Sequence, residues 1–207
     1  MFFCFLRLIS SAQQEGGDAY KMAVKLNVGP PNPISNKAFK NTFVGAYTLN
    51  GEVEFNVLAF FVAPSYGHSV FRVPPRKIAD RLKTTLIFDN VGLKVGYKKY
   101  FSQKGFWAIT IGGGGNFSHF KDIQASDSIS IQKTFISSYL QTEFSVNFYS
   151  EDNFAIGLYT SYTLLTHDFD PKTAAFNLYK AYGTNELNGN IQYIDLGFSL
   201  RYFIVKK

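Results

Sequence analysis

The 207-residue chain has little of several things, and each shortage excludes something. It carries one cysteine, Cys4. That rules out a disulfide framework and a cysteine-rich zinc module. Three histidines, His68, His119 and His167, are scattered and show no metal-ligand spacing. Charged residues make up only 17% of the chain. Its net charge is +6, yet no run of five or more basic residues occurs, so nucleic-acid binding is not supported. No stretch approaches ~18 consecutive apolar residues, which excludes a transmembrane helix. Helix signals are nearly absent.

What is abundant is apolar and aromatic. Hydrophobic residues are 46% of the chain, with 22 Phe and 13 Tyr. This excludes disorder. The mean hydropathy of −0.05 would suit a soluble protein. It would equally suit a membrane β-barrel, whose strands alternate apolar and polar residues and so average near zero.

Residues 1–12 run through a short apolar stretch into Ser10-Ser11-Ala12, with small residues at −3 and −1 of a cleavage site. They read as the tail of a signal peptide whose start lies upstream. Residues 13–19 form a short polar segment, and 20–207 one barrel domain.

The domain shows eight stretches of period-two alternation rich in Val, Ile, Tyr, Phe and Thr. They cover about 20–28, 42–55, 58–71, 85–100, 106–118, 133–149, 154–166 and 190–205. Gly29-Pro30-Pro31-Asn32-Pro33 breaks the first, and Pro64 weakens the third. Connections alternate between tight ones, near 56–57, 102–105 and 150–153, and long polar ones, about 29–41, 72–84, 119–132 and 167–189. The expected fold is an all-β, eight-stranded antiparallel up-and-down transmembrane barrel with short periplasmic turns and long extracellular loops.

Aromatics gather at every short turn: Phe55, Phe60 and Phe61; Tyr100, Phe101, Phe106 and Trp107; Phe148, Tyr149 and Phe154; then Tyr202 and Phe203 on the last strand. Amphipathic rings favour the headgroup level, so these read as a periplasmic girdle at the membrane interface. The faces opposite the apolar ones mix glycine and small residues with Lys21, Lys25, Glu52, Glu54, Lys94, Lys98, Glu143, Asp195 and Arg201. In a barrel this narrow, side chains fill the interior. The nearly balanced charges are therefore expected to pair inside a plugged lumen. A soluble barrel would place them in water instead.

The Ser10-Ser11-Ala12-Gln13 start, the strand–turn units ending in Phe or Tyr, Ile111–Gly115 and the closing Ile194–Phe203 resemble small outer-membrane β-barrels. They are similar in particular to the PorT-like group of the Bacteroidota, related in shape to OmpA and OmpX barrels. The resemblance implies a fold and a place in the envelope. It carries over no site residues.

Some barrels of this size modify lipid A with Ser, His and an acid at the outer rim. Here Ser69 and Ser118 adjoin His68 and His119, and Asp168 follows His167. Neighbours on a strand face opposite sides, so each serine points away from its adjacent imidazole. No reaction, cofactor or metal is expected. Gly112–Gly115 lacks a following helix and so cannot cradle phosphate. Arg72, Arg76, Lys77, Arg81 and Lys83 surround the second long loop as candidate contacts for lipopolysaccharide or a protein partner. The longest loop carries Phe169, Phe176, Tyr179 and Tyr182, suited to a partner or to covering the mouth. The expected role is structural, or accessory to an envelope or secretion complex in a Gram-negative outer membrane. The alternatives are a lipid A-modifying enzyme, a small porin and a soluble lipid-binding barrel.

Overall fold

The computed structural model describes residues 20–74, 84–121, 134–151, 153–169, 183–187 and 189–205. Among the described residues nine strands form one antiparallel sheet: β1 (Met22–Gly29), β2 (Pro31–Ser35), β3 (Val44–Val57), β4 (Phe60–Arg72), β5 (Thr85–Ser102), β6 (Gly105–Lys121), β7 (Thr134–Glu151), β8 (Phe154–Asp168) and β9 (Asn190–Val205). β1 pairs with β3, each strand from β3 to β8 pairs with the next, and β1 also pairs with β9, which closes the barrel. β1 and β2 are two halves of one stave, because both pair with β9. The result is a closed eight-stranded barrel.

The sequence expectation differs from this structure in three places. The first strand does break at Gly29, but the Pro-rich segment is not all loop: after Pro30 the chain resumes as β2, with Pro31 opposite Asp195 and Pro33 opposite Tyr193. Prolines are tolerated there because β2 bonds on one side only. Pro64 does not stop β4. The β3–β4 register runs from Glu52↔Ser65 to Phe55↔Val62, skipping the pairs around Pro64, whose missing N–H cannot join the ladder. Finally, a short helix, α1 (Lys37–Thr42), lies in the first long loop. Asn36 caps it by accepting a hydrogen bond from the Phe39 N–H at 3.0 Å. The Asn36 amide also donates to the Gly189 carbonyl at 2.8 Å, tying the first loop to the last. A second helical turn, α2 (Thr184–Leu187), precedes β9.

Alternation gives the wall two opposite surfaces. Val91, Leu93 and Val95 on β5, Ile109 and Ile111 on β6 and Leu196 and Phe198 on β9 are all exposed on the outside. Lys25, Glu52, Glu54, Lys94, Lys98, Glu143, Asp195 and Arg201 are buried inside. A protein in water would do the reverse. The arrangement is stable only where hydrocarbon surrounds the barrel.

Candidate functional site

The inward positions of β1, β3, β5 and β7 project four side chains to mid-lumen. Lys25 lies 3.2 Å from Glu52 and also pairs with Glu143. Lys94 lies 2.6 Å from Glu52 and 3.8 Å from Glu143. The four form a ring of alternating charge that crosses the barrel. The Asn27 amide donates to Glu143 at 2.9 Å. Below it, Glu54 binds Arg201 at 2.9 Å and also pairs with Lys98, whose ammonium donates to Asn56 at 2.7 Å. Asp195 lies apart from these groups and accepts from the Ser161 hydroxyl at 2.9 Å. Among the described residues the buried charges are four cations and four carboxylates. The pairing of Glu52, Glu54 and Glu143 with the four cations offsets a desolvation cost that those charges alone would not survive.

Aromatic clusters stand above and below this charged layer. At the loop end, Phe39 of α1 and Phe43, its C-cap, meet Phe71, Phe88, Phe120, Phe169 and Tyr193 inside the mouth. Phe39 lies edge-on to Phe71 at 5.1 Å between ring centres, and Phe43 edge-on to Phe169 at 5.4 Å. At the turn end, Tyr20, Phe106 and Phe203 pack with Tyr100 and Tyr149. Arg201 and Lys98 face these layers through ring contacts: the Arg201 guanidinium is 5.0 Å from the Phe106 ring centre, and the Lys98 ammonium 4.5 Å from that of Phe61.

The structure divides the expected site residues. Lys21 is not in the lumen: it precedes β1, and its side chain is exposed beyond the barrel's turn end. The other eight lumen residues are buried in it. The expected aromatic girdle is only partly outward. Phe55, Phe60, Phe101, Phe148 and Tyr202 are exposed on the outer wall, and Trp107 and Phe154 share that face half-buried. Phe61, Phe106 and Phe203 are buried inside, and Tyr100 and Tyr149 line the inner cluster. Where two aromatics are adjacent in sequence, period two forces one out and one in. Of the basic loop set, Arg72 ends β4 and is exposed, while Arg76, Lys77, Arg81 and Lys83 lie outside the described residues. So do residues 1–19 and, in the longest loop, Phe176, Tyr179 and Tyr182.

The serines and histidines separate as strand geometry requires. Ser69 and Ser118 are buried inward, bonding Thr48 and Asn116 respectively. His68 and His119 face outward, and Asp89 stands between them. The sequence reading missed Asp89. Its parity with Val91, Leu93 and Val95 was the available signal, because it places a carboxylate on an otherwise apolar face.

Compared with known structures, the chain is similar to Neisserial surface protein A, with a TM-score of 0.55 and 8% identity over 89% of this chain and 97% of that one. The barrel is of the outer-membrane type. Looser likenesses to outer-membrane-type barrels include Ail of Yersinia pestis in complex with the heparin analogue sucrose octasulfate (TM-score 0.47, 13% identity, 87% of this chain and 97% of that one). Another is the outer membrane protein OprG of Pseudomonas aeruginosa (TM-score 0.46, 14% identity, 91% and 99%). No protein-family model matches the sequence, and comparison with curated proteins finds no match.

Proposed function

We propose that this outer-membrane-type barrel is a sealed, non-conducting protein of the Gram-negative outer membrane, with a structural or accessory role in an envelope or secretion complex. The observation that carries this reading is the filling of the lumen. A ring of four charged side chains crosses it, and aromatic clusters lie at both ends. Charges that pair with each other leave no hydrated path for ions, so the long loops are left to make contacts. An accessory role fits the place in the envelope that the resemblance to PorT-like barrels implies. Arg72, exposed at the end of β4, supplies a cation at the loop end for lipopolysaccharide phosphates or an acidic partner. Acyl chemistry is not proposed, because each candidate serine faces the lumen while its neighbouring histidine faces lipid.

Conductance of the refolded protein in planar bilayers tests the seal. The expected trace is flat across ±100 mV. Stable single-channel steps would overturn the reading.

A further inference from the structure

The outer wall of β4–β6 carries charge where lipid is expected. Asp89 accepts a 2.7 Å hydrogen bond from the Tyr66 hydroxyl, and His68 Nδ1 is 2.7 Å from the same oxygen. His119 Nδ1 lies 3.6 Å from the other. The register explains the grouping: His68 stands opposite Asp89, and His119 is opposite Ile87, one step along the same face. The side chains of His68, Asp89 and His119 are 27%, 22% and 22% exposed. Tyr47 of β3 flanks His68, with ring centres 6.0 Å apart. Toward the loop end, Arg72 and Lys121 both stand opposite Thr85, are exposed, and end the described parts of β4 and β6.

Depth decides what surrounds this group. Below Asp89, the outward residues of β5 are Val91, Leu93, Val95, Tyr97 and then Lys99. Ten residues on a strand tilted by about 40° rise about 25 Å, the height of an outer-membrane apolar band. Lys99 and Asp89 thus mark its two edges, and the Asp89 group lies at the outer headgroup level.

We propose that His68, His119, Asp89 and Tyr66 form a pH-gated anchor for the phosphate of an outer-leaflet lipid, with Arg72 and Lys121 as its fixed cations. The proposal rests on the outer-membrane reading above, not on the sealed lumen. The gate follows from imidazole chemistry. With Nδ1–H turned to Asp89, a neutral imidazole offers phosphate only the Nε2 lone pair. Protonation turns Nε2 into an N–H donor and adds positive charge. With both rings neutral, Asp89 is the one formal charge among the four and repels phosphate. With both protonated, two imidazoliums outweigh it. The facing titratable and charged groups are Tyr47 on β3, Tyr66 and Arg72 on β4, and Lys121 on β6. The lipid lies in the membrane plane beside the group, which favours it over free phosphate.

The test is native mass spectrometry of the folded full-length barrel in detergent, with bis-phosphorylated lipid A or its dephosphorylated form as probe. One or two new charge-assisted hydrogen bonds correspond to about tenfold tighter binding of the phosphorylated probe at pH 5.5 than at pH 8. The probe's own phosphate gains charge as pH rises, which runs the other way. Dephosphorylated lipid should show no pH dependence. His68→Gln with His119→Gln should flatten the response, and Asp89→Asn should strengthen binding at pH 8. Heat-modifiable gel migration checks that each variant is folded, and His119→Gln alone serves if the double variant is not. Equal binding at both pH values overturns the proposal. So does pH dependence that survives loss of both histidines, or complete displacement of the lipid by millimolar inorganic phosphate. A conducting lumen would refute the sealed barrel and leave this result untouched.

Discussion

Lys25 and Glu143, 118 residues apart in the chain, pair across the lumen. Neither lies on a strand adjacent to the other's: β8 and β9 separate β7 from β1. The contact therefore spans the barrel and braces it against flattening.

Removing one end of that brace should be costly. Glu143→Leu leaves Lys25 and Lys94 sharing Glu52 alone, and a buried cation stripped of a partner costs about 3–5 kcal/mol. The urea midpoint of the refolded barrel should fall accordingly. Lys25→Met combined with Glu143→Leu should recover part of the loss, because paired apolar replacement removes the uncompensated charge.

Two glycines should respond in opposite ways. A Cβ on Gly96 would sit 2.2 Å from the Phe61 ring, which also carries the Lys98 ammonium. Gly96→Ala should destabilise by about 1–3 kcal/mol, as overpacking does. Adding Phe61→Leu should relieve part of that, which a double-mutant cycle would read as coupling. A Cβ on Gly51 meets nothing within 4 Å, so Gly51→Ala should be neutral or stabilise by up to about 1 kcal/mol.

Thermal and denaturant unfolding should expose the plug at the mouth. Phe39 is fully buried against Phe43, Phe71, Phe88 and Phe169. Phe39→Ala should cost about 3–5 kcal/mol. The variant should still carry no current in planar bilayers, because the charged ring lies deeper in the lumen.

The membrane reading has its own signature. Leu93 is exposed near the middle of the outer apolar band. Leu93→Arg should cost about 2–4 kcal/mol when stability is measured in a bilayer. Ser102→Arg, at the strand end, should cost no more than about 1 kcal/mol. Equal, small effects at both positions would indicate a barrel in water.

The sequence by itself determined the strands, their approximate limits and the two faces. Period-two alternation is local: each residue's side of the wall follows from its neighbours, as at Val91, Leu93 and Val95 against Lys94. The same rule places Lys25, Glu52, Lys94 and Glu143 on one surface of the sheet. Only the tertiary structure decided who meets whom. Curving the sheet into a barrel brings β1 to β7 and lets Lys25 reach Glu143, a distance no spacing encodes. Closure also made α1 helical, since Phe39 and the C-cap Phe43 find their apolar partners inside a mouth lined by strands distant in sequence. The inward turn of Phe106 and Phe203 belongs to the local rule instead: each is adjacent in sequence to an outward aromatic, Trp107 or Tyr202. The gathering of His68, Asp89 and His119 depended on the register of three strands, and register is set by pairing, not by composition.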